Sequence, residues 1–89
     1  MSNPESFPTV LGELVPAYWP SWTAVAAASG TTTRTLHNWR AGHAVPGLLA
    51  FERLRIAVDH HPGVDDDLAE RLMAAWSRAA GRRWHPVDA

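Results

Sequence analysis

Residues 30–42 have the sequence Gly-Thr-Thr-Thr-Arg-Thr-Leu-His-Asn-Trp-Arg-Ala-Gly, and this stretch decides the fold. Thr32 suits an N-cap, because its hydroxyl can accept a hydrogen bond from a free amide of the first helical turn. Leu36 and Trp39 are three residues apart and therefore share one face of a helix. The glycines at both ends permit a turn before the helix and a stop after it. The stretch thus predicts one short helix, over about residues 33–41, with a buried apolar face.

The other faces of this predicted helix carry the polar side chains Thr33, Arg34, His37 and Asn38. A short helix with hydrogen-bonding side chains on its outer face suits the major groove of DNA, which presents a distinct donor and acceptor pattern for each base pair. We therefore expect this helix to be a recognition helix.

The composition limits the classes of protein to which this chain can belong. Its 89 residues predict one small domain, and the absence of cysteine excludes disulfides and thiolate metal sites. No apolar run is long enough to span a bilayer and no leader pattern opens the chain, so we expect a soluble cytoplasmic protein. The net charge is −1, with eight arginines and no lysine, and a bulk basic excess is absent. Residues 34–60 are the positive part, since they carry four arginines against Glu52 and Asp59.

Two further helices are predicted before the opening stretch, after a flexible arm over residues 1–7. The first begins at Pro8 and ends or kinks near Val15, because Pro16 does not suit a helix interior. The second covers Trp22–Ser29. Ser21 is its expected N-cap and Gly30 its expected stop.

Two more helices are predicted after the opening stretch. The fourth begins at Pro46 and ends at about residue 59 or 60, and its expected apolar stripe is Leu48, Phe51, Leu54 and Val58. The fifth covers residues 64–81, with Asp65 as N-cap and Gly81 as stop, and a tail follows over residues 82–89. Its expected apolar face is Leu68, Leu72, Met73, Trp76 and Ala80. No strand signal is present, so the expected fold class is all-α, a compact five-helix bundle.

The pattern Val25-Ala26-x-x-Ser29-Gly30-Thr31-Thr32-x-x-Thr35-Leu36-x-x-Trp39-x-x-Gly42-x-x-x-Pro46 resembles the Cro/C1-type (XRE-like) helix-turn-helix family of phage and bacterial regulators. The resemblance covers residues 8–60. It implies a lambda-repressor-like helix-turn-helix and a sequence-specific transcriptional regulator that binds double-stranded DNA. It also implies a phage or mobile-element type of regulator.

The resemblance also implies roles for individual residues. The base-reading positions correspond to Thr33, Arg34, His37 and Asn38. The phosphate-binding positions correspond to the start of the second helix and the segments around the third: Ser21, Trp22, Thr23, Thr32, Arg40, His43 and Gly47. Arg40 stands where the family often has Glu, and we expect it to pair with Glu13 on the first helix.

The apolar surplus of the last two helices predicts a dimer or partner interface. Its candidate residues are Leu49, Ile56, Leu72, Met73, Trp76 and Trp84. The fifth helix is thus expected either to mediate a homodimer or to cap the monomer, since such regulators read two half-sites. RNA polymerase or a second regulator is an alternative partner.

Two other functions stay open from the sequence. One is an excisionase-like or small-terminase-like protein that positions DNA for other machinery, which measurements of site size and DNA bending would separate from a regulator. The other is a protein-interaction module on a helix-turn-helix scaffold.

No catalytic residue, metal site or cofactor is expected. The pair His60 and His61 lacks a third converging ligand, and zinc sites need three or four. Residues 65–67 are three aspartates, and helix capping explains them. No nucleophile is organised with a base, so we do not expect an enzyme.

Overall fold

The computed structural model describes residues 5–83, which form five α-helices and, within that range, no β-strand. The helices are α1 (Phe7–Gly12), α2 (Trp22–Ser29), α3 (Thr33–Arg40), α4 (Leu48–His60) and α5 (Asp66–Arg83). The prediction of an all-α fold with five helices is therefore confirmed. Across the described residues, no helix combines the length and the apolarity that a bilayer crossing requires.

One hydrophobic core joins all five helices. α1 packs against α3 and α5, α2 packs against α3 and α4, and α4 packs against α5. At the centre, the Phe7 ring meets Phe51 edge-on with centroids 6.2 Å apart. Phe51 also stacks on Trp76, with centroids 4.3 Å apart and planes 4° from parallel. The largest fully buried side chains are Phe7, Phe51, Leu11, Leu14, Leu36, Leu54, Leu68, Leu72, Val10, Val25 and Val58.

The start of α1 corrects the prediction of a flexible arm over residues 1–7. Phe7 is only 2% exposed and is the first residue of α1, so burial of its ring fixes this part of the chain. The Ser6 hydroxyl caps the helix by accepting a hydrogen bond from the Thr9 amide. The prediction was thus wrong for residues 5–7. Residues 1–4 lie outside the described part of the chain.

The end of α1 lies earlier than predicted. The helix stops at Gly12 instead of near Val15, and turns follow as far as residue 18. The Val15–Pro16 peptide bond is cis. Leu14 is buried in this segment, and its carbonyl oxygen accepts hydrogen bonds from the amides of Tyr18 and Trp19, both at 3.0 Å.

The ends of α4 and α5 also differ from the prediction. α4 begins at Leu48 with Gly47 as N-cap, and Leu48 is 66% exposed, so it does not belong to the buried stripe. α5 continues to Arg83, because Gly81 keeps helical geometry and does not stop it. The predicted cap is confirmed, since Asp65 Oδ1 accepts a hydrogen bond from the Leu68 amide at 2.9 Å.

An ion-pair cluster joins the first and last parts of the described chain. Arg71 on α5 pairs with Glu5, at 2.5 Å between Nη2 and Oε2, and with Glu13. We call these three residues the Arg71 clamp. The hydrogen bonds from Arg71 lower the pKa of Glu5 below its usual value. The predicted pair of Glu13 with Arg40 is wrong, because Glu13 faces α5 and Arg71 binds its carboxylate.

Candidate nucleic-acid interface

A three-residue turn connects α2 to α3, and its capping groups were predicted. The Ser21 hydroxyl accepts a hydrogen bond from the Ala24 amide and begins α2. Gly30 ends α2 in the left-handed region at φ 69°, and its amide donates to the Ala26 carbonyl oxygen. The Thr32 hydroxyl then begins α3 by accepting a hydrogen bond from the Thr35 amide at 3.1 Å. Both ends of α2 and the start of α3 therefore follow from local signals.

The inner face of α3 anchors the helix in the core. Leu36 and Trp39 are buried, as the sequence predicted. Opposite them on α2, Val25 and the small side chain of Ala26 are buried too. Ser29 donates a hydrogen bond to the Val25 carbonyl oxygen at 2.7 Å, which satisfies a polar group in this interior. The α2–α3 unit therefore presents a fixed outer face to solvent.

The predicted base-reading residues lie on that outer face. Thr33, Arg34 and His37 are exposed, and Asn38 is half-buried. The carbonyl oxygen of Asn38 accepts a hydrogen bond from the His43 amide at 2.9 Å, which fixes the loop after α3 against the helix end. That the four predicted residues of this face read bases remains a prediction.

The predicted phosphate-binding residues fall in two places. Ser21, Trp22 and Thr23 form the start of α2, and Thr32 begins α3. The hydroxyls of Ser21 and Thr32 already accept hydrogen bonds from backbone amides, so each acts first as a cap. Arg40, His43 and Gly47 are exposed along the end of α3 and the loop to α4.

Arg40 has an aromatic partner that the sequence did not predict. Its guanidinium carbon lies over the Trp22 ring, 4.1 Å from the ring centroid. Trp22 is the first residue of α2 and Arg40 is the last of α3, so the contact spans the two helices. The residues are 18 positions apart in sequence, beyond the reach of any helical spacing rule.

The segment that contains α2 and α3 has no acidic residue of its own. Residues 14–51 contain no Asp or Glu. Arg55 pairs with Glu52 and Asp59, both at 2.7 Å, and its hydrogen bonds lower the pKa of Glu52. Among the residues of known placement, the ion pairs involve Arg55 and Arg71, whereas Arg34 and Arg40 make none. The face around α3 therefore keeps its positive charge although the whole chain has a net charge of −1.

The predicted partner interface is only partly available at the surface. Leu49 is 67% exposed and Ile56 is 48% exposed, and both lie on α4. Leu72 is 1% exposed, so its assignment to an interface was wrong, because it points into the core between α5 and its neighbours. Trp76 is half-buried and donates from Nε1 to the Pro46 carbonyl oxygen at 2.8 Å, which ties α5 to the start of α4. Met73 is 38% exposed, and Trp84 lies outside the described residues.

A groove of about 410 Å³ lies between the start of α1, the loop after α3 and α5. Its charged lining groups are already engaged: Glu5 pairs with Arg71, and Arg78 donates to the Glu5 carbonyl oxygen at 2.5 Å. Over the described residues, no group of three or more His, Asp or Glu side chains is placed to hold a metal ion. The polar face of α3 is thus the better candidate for a binding site.

Comparisons with protein-family models, with curated proteins and with solved structures found no match to this chain.

Proposed function

We propose that the protein binds duplex DNA as a sequence-specific transcriptional regulator of the phage or mobile-element type, with α3 in the major groove. The observation that carries the proposal is the division of α3 into two faces. Leu36 and Trp39 are buried, while Thr33, Arg34 and His37 are exposed and Arg34 makes no ion pair with the described residues. A helix such as α3 is about 10–12 Å in diameter with its side chains, so it fits a major groove about 12 Å wide.

The side chains on this face match the chemistry of base edges. The Arg34 guanidinium can donate two hydrogen bonds to guanine O6 and N7. The Asn38 amide can bond adenine N6 and N7 in the same two-point manner, and Thr33 offers a methyl group to thymine. These pairings give sequence preference, and the phosphate contacts give affinity without it.

The N-termini of α2 and α4 support contacts with the sugar–phosphate backbone. The amides of the first helical turn have no intrahelical acceptor, and they bind phosphate oxygens without needing a lysine. Trp22 and Thr23 supply such amides on α2, and Gly47 is the N-cap of α4. Because few arginines take part, we expect the affinity to fall less steeply with salt than for a lysine-rich protein.

The experiment that tests the proposal selects bound sequences from a random duplex pool. Wild type should enrich a short motif. The Arg34→Ala plus Asn38→Ala variant should bind that motif at least about thirtyfold more weakly, since each two-point pair is worth about 1–3 kcal/mol. Arg55→Gln is the matched control, because Glu52 and Asp59 already engage Arg55. If wild type enriches no motif, or the double variant binds it as well as wild type, the proposal fails.

The proposal includes a second copy of the chain as partner. Leu49 and Ile56 are seven residues apart, so they share one face of α4, and this face lies opposite the buried Phe51 and Val58. Two exposed aliphatic side chains on one helical face support a protein contact, and a two-fold dimer would place two copies of α3 for two half-sites.

Sedimentation analysis tests the dimer. Wild type should sediment as a dimer at high micromolar concentration, and Leu49→Glu plus Ile56→Glu should shift it to monomer. Leu48→Glu is the matched control, because Leu48 is equally exposed but lies about 100° around the helix from Leu49. A monomer at every concentration, or equal effects of both variants, would contradict this interface.

A further inference from the structure

The Trp22–Arg40 contact joins a half-buried ring to an exposed cation. Trp22 packs against the hydrophobic core from the first position of α2, so its ring has a fixed place. The Arg40 guanidinium carbon lies 4.1 Å from the centroid of that ring. A cation at this distance from an indole face is attracted by the negative charge of the π-system.

This contact differs from the other arginine contacts of the described residues. Arg55 and Arg71 donate hydrogen bonds to carboxylates. These carboxylates also neutralise the positive charges of the two arginines. A ring covers the face of the Arg40 guanidinium but accepts none of its five N–H donors along the edges. Arg40 is therefore held in place while its charge and its donors remain available.

We propose that Trp22 is a positioning residue that holds the Arg40 guanidinium for a DNA phosphate beside the groove occupied by α3. This inference rests on the proposed DNA binding. The resemblance implied separate phosphate contacts for these two positions, whereas here the Trp22 and Arg40 side chains form one two-part contact and the Trp22 amide keeps its own role. An unsupported arginine must lose its rotamer freedom when it binds, whereas the stacked Arg40 has already lost much of it.

The test measures duplex affinity against salt concentration for a double-mutant cycle. Arg40→Ala should weaken binding about fivefold and lower the salt slope by about 0.9, the change expected for one lost phosphate contact. Trp22→Leu should weaken binding by a similar factor although Arg40 is still present. The double variant should lose no more than either single variant, because the two residues act as one unit.

Two controls separate positioning from a general structural effect. Trp22→Phe keeps an aromatic face, so it should restore affinity to within about twofold of wild type. Arg55→Gln should leave both affinity and salt slope unchanged, because its carboxylate partners already engage it. In the free protein, Trp22→Leu should also remove the ring-current shift of the Arg40 side-chain protons in the NMR spectrum.

The outcomes distinguish this inference from the proposed function. Full affinity of Trp22→Leu, or additive losses in the double variant, overturns the role of Trp22 even where Arg34→Ala plus Asn38→Ala abolishes recognition. Failure of wild type to bind any duplex overturns both.

Discussion

The positions of individual acidic residues decide how much positive charge the α3 face keeps. Glu5 and Glu13 form ion pairs with Arg71, and Glu52 forms one with Arg55. None of these carboxylates reaches Arg34 or Arg40, so a chain with a net charge of −1 retains a positive face. For such a small domain, local placement of charge is more informative than the total, because exposed charges more than about 10 Å apart are largely screened at ordinary salt.

The backbone of Gly30 leads to a prediction about stability. Gly30 has φ 69°, in the left-handed region, and a Cβ there would meet Arg53 Cδ only at an ordinary contact distance of 4.0 Å. The cost of Gly30→Ala is therefore a backbone cost, and we expect a loss of about 1–2 kcal/mol in the free energy of unfolding. Urea denaturation followed by tryptophan fluorescence would measure it.

Gly81→Ala is the matched control for Gly30→Ala. Gly81 lies within α5, where an added Cβ meets nothing within 4 Å. Alanine should therefore stabilise the protein by up to about 0.5–1 kcal/mol, because it restricts the unfolded chain and suits a helix. If Gly30→Ala were neutral, or both variants shifted stability in the same direction, the assigned backbone states would be wrong.

At the scale of elements, α2 and α3 were predictable because short-range signals define them. Ser21 and Thr32 cap the residues that follow them, and Gly30 supplies the one left-handed backbone position that the turn needs. The three-residue spacing of Leu36 and Trp39 identified the buried face of α3. These signals act within four residues along the chain, and in α2 and α3 the folded protein retains them.

Other features were not predictable, because they depend on contacts between distant residues. Phe7 is ordered at the start of α1 because its ring packs in the core against Phe51, which lies 44 residues later in the sequence. Leu48 fits the apolar spacing of Phe51, Leu54 and Val58, but it is the first residue of α4 and its side chain is exposed. The Trp22–Arg40 contact follows from how α2 packs on α3, which no helical spacing specifies.

At the scale of the whole molecule, the Arg71 clamp connects the first described residues to α5. Arg71 meets Glu5 and Glu13 across separations of 66 and 58 residues. Both carboxylates raise the pKa of Arg71, so it stays charged at any pH at which the protein is handled. The group whose titration links the clamp to pH is therefore Glu5, whose pKa the clamp lowers.

The lowered pKa of Glu5 fixes the sign of the pH dependence. In the unfolded chain, Glu5 takes up a proton near its ordinary pKa of about 4.3, whereas the folded state binds it only at lower pH. Between the folded and the unfolded pKa of Glu5, the unfolded state thus binds more protons than the folded state. The free energy of unfolding therefore falls as pH falls through this range. The stability that Glu5 contributes is fully present above its unfolded pKa and is lost as pH falls through its folded pKa.

Arg71→Gln should therefore destabilise the protein most near pH 7, and its difference from wild type should shrink as pH falls below about 4, where Glu5 protonates in the unfolded chain. Urea unfolding of both proteins at pH 7, 5, 4 and 3 would show the convergence. Arg53→Gln is the matched control, because Arg53 makes no ion pair with the described residues, and its difference from wild type should not change with pH. A constant difference for Arg71→Gln would mean that the clamp contributes packing of its side chain and no charge-dependent stability.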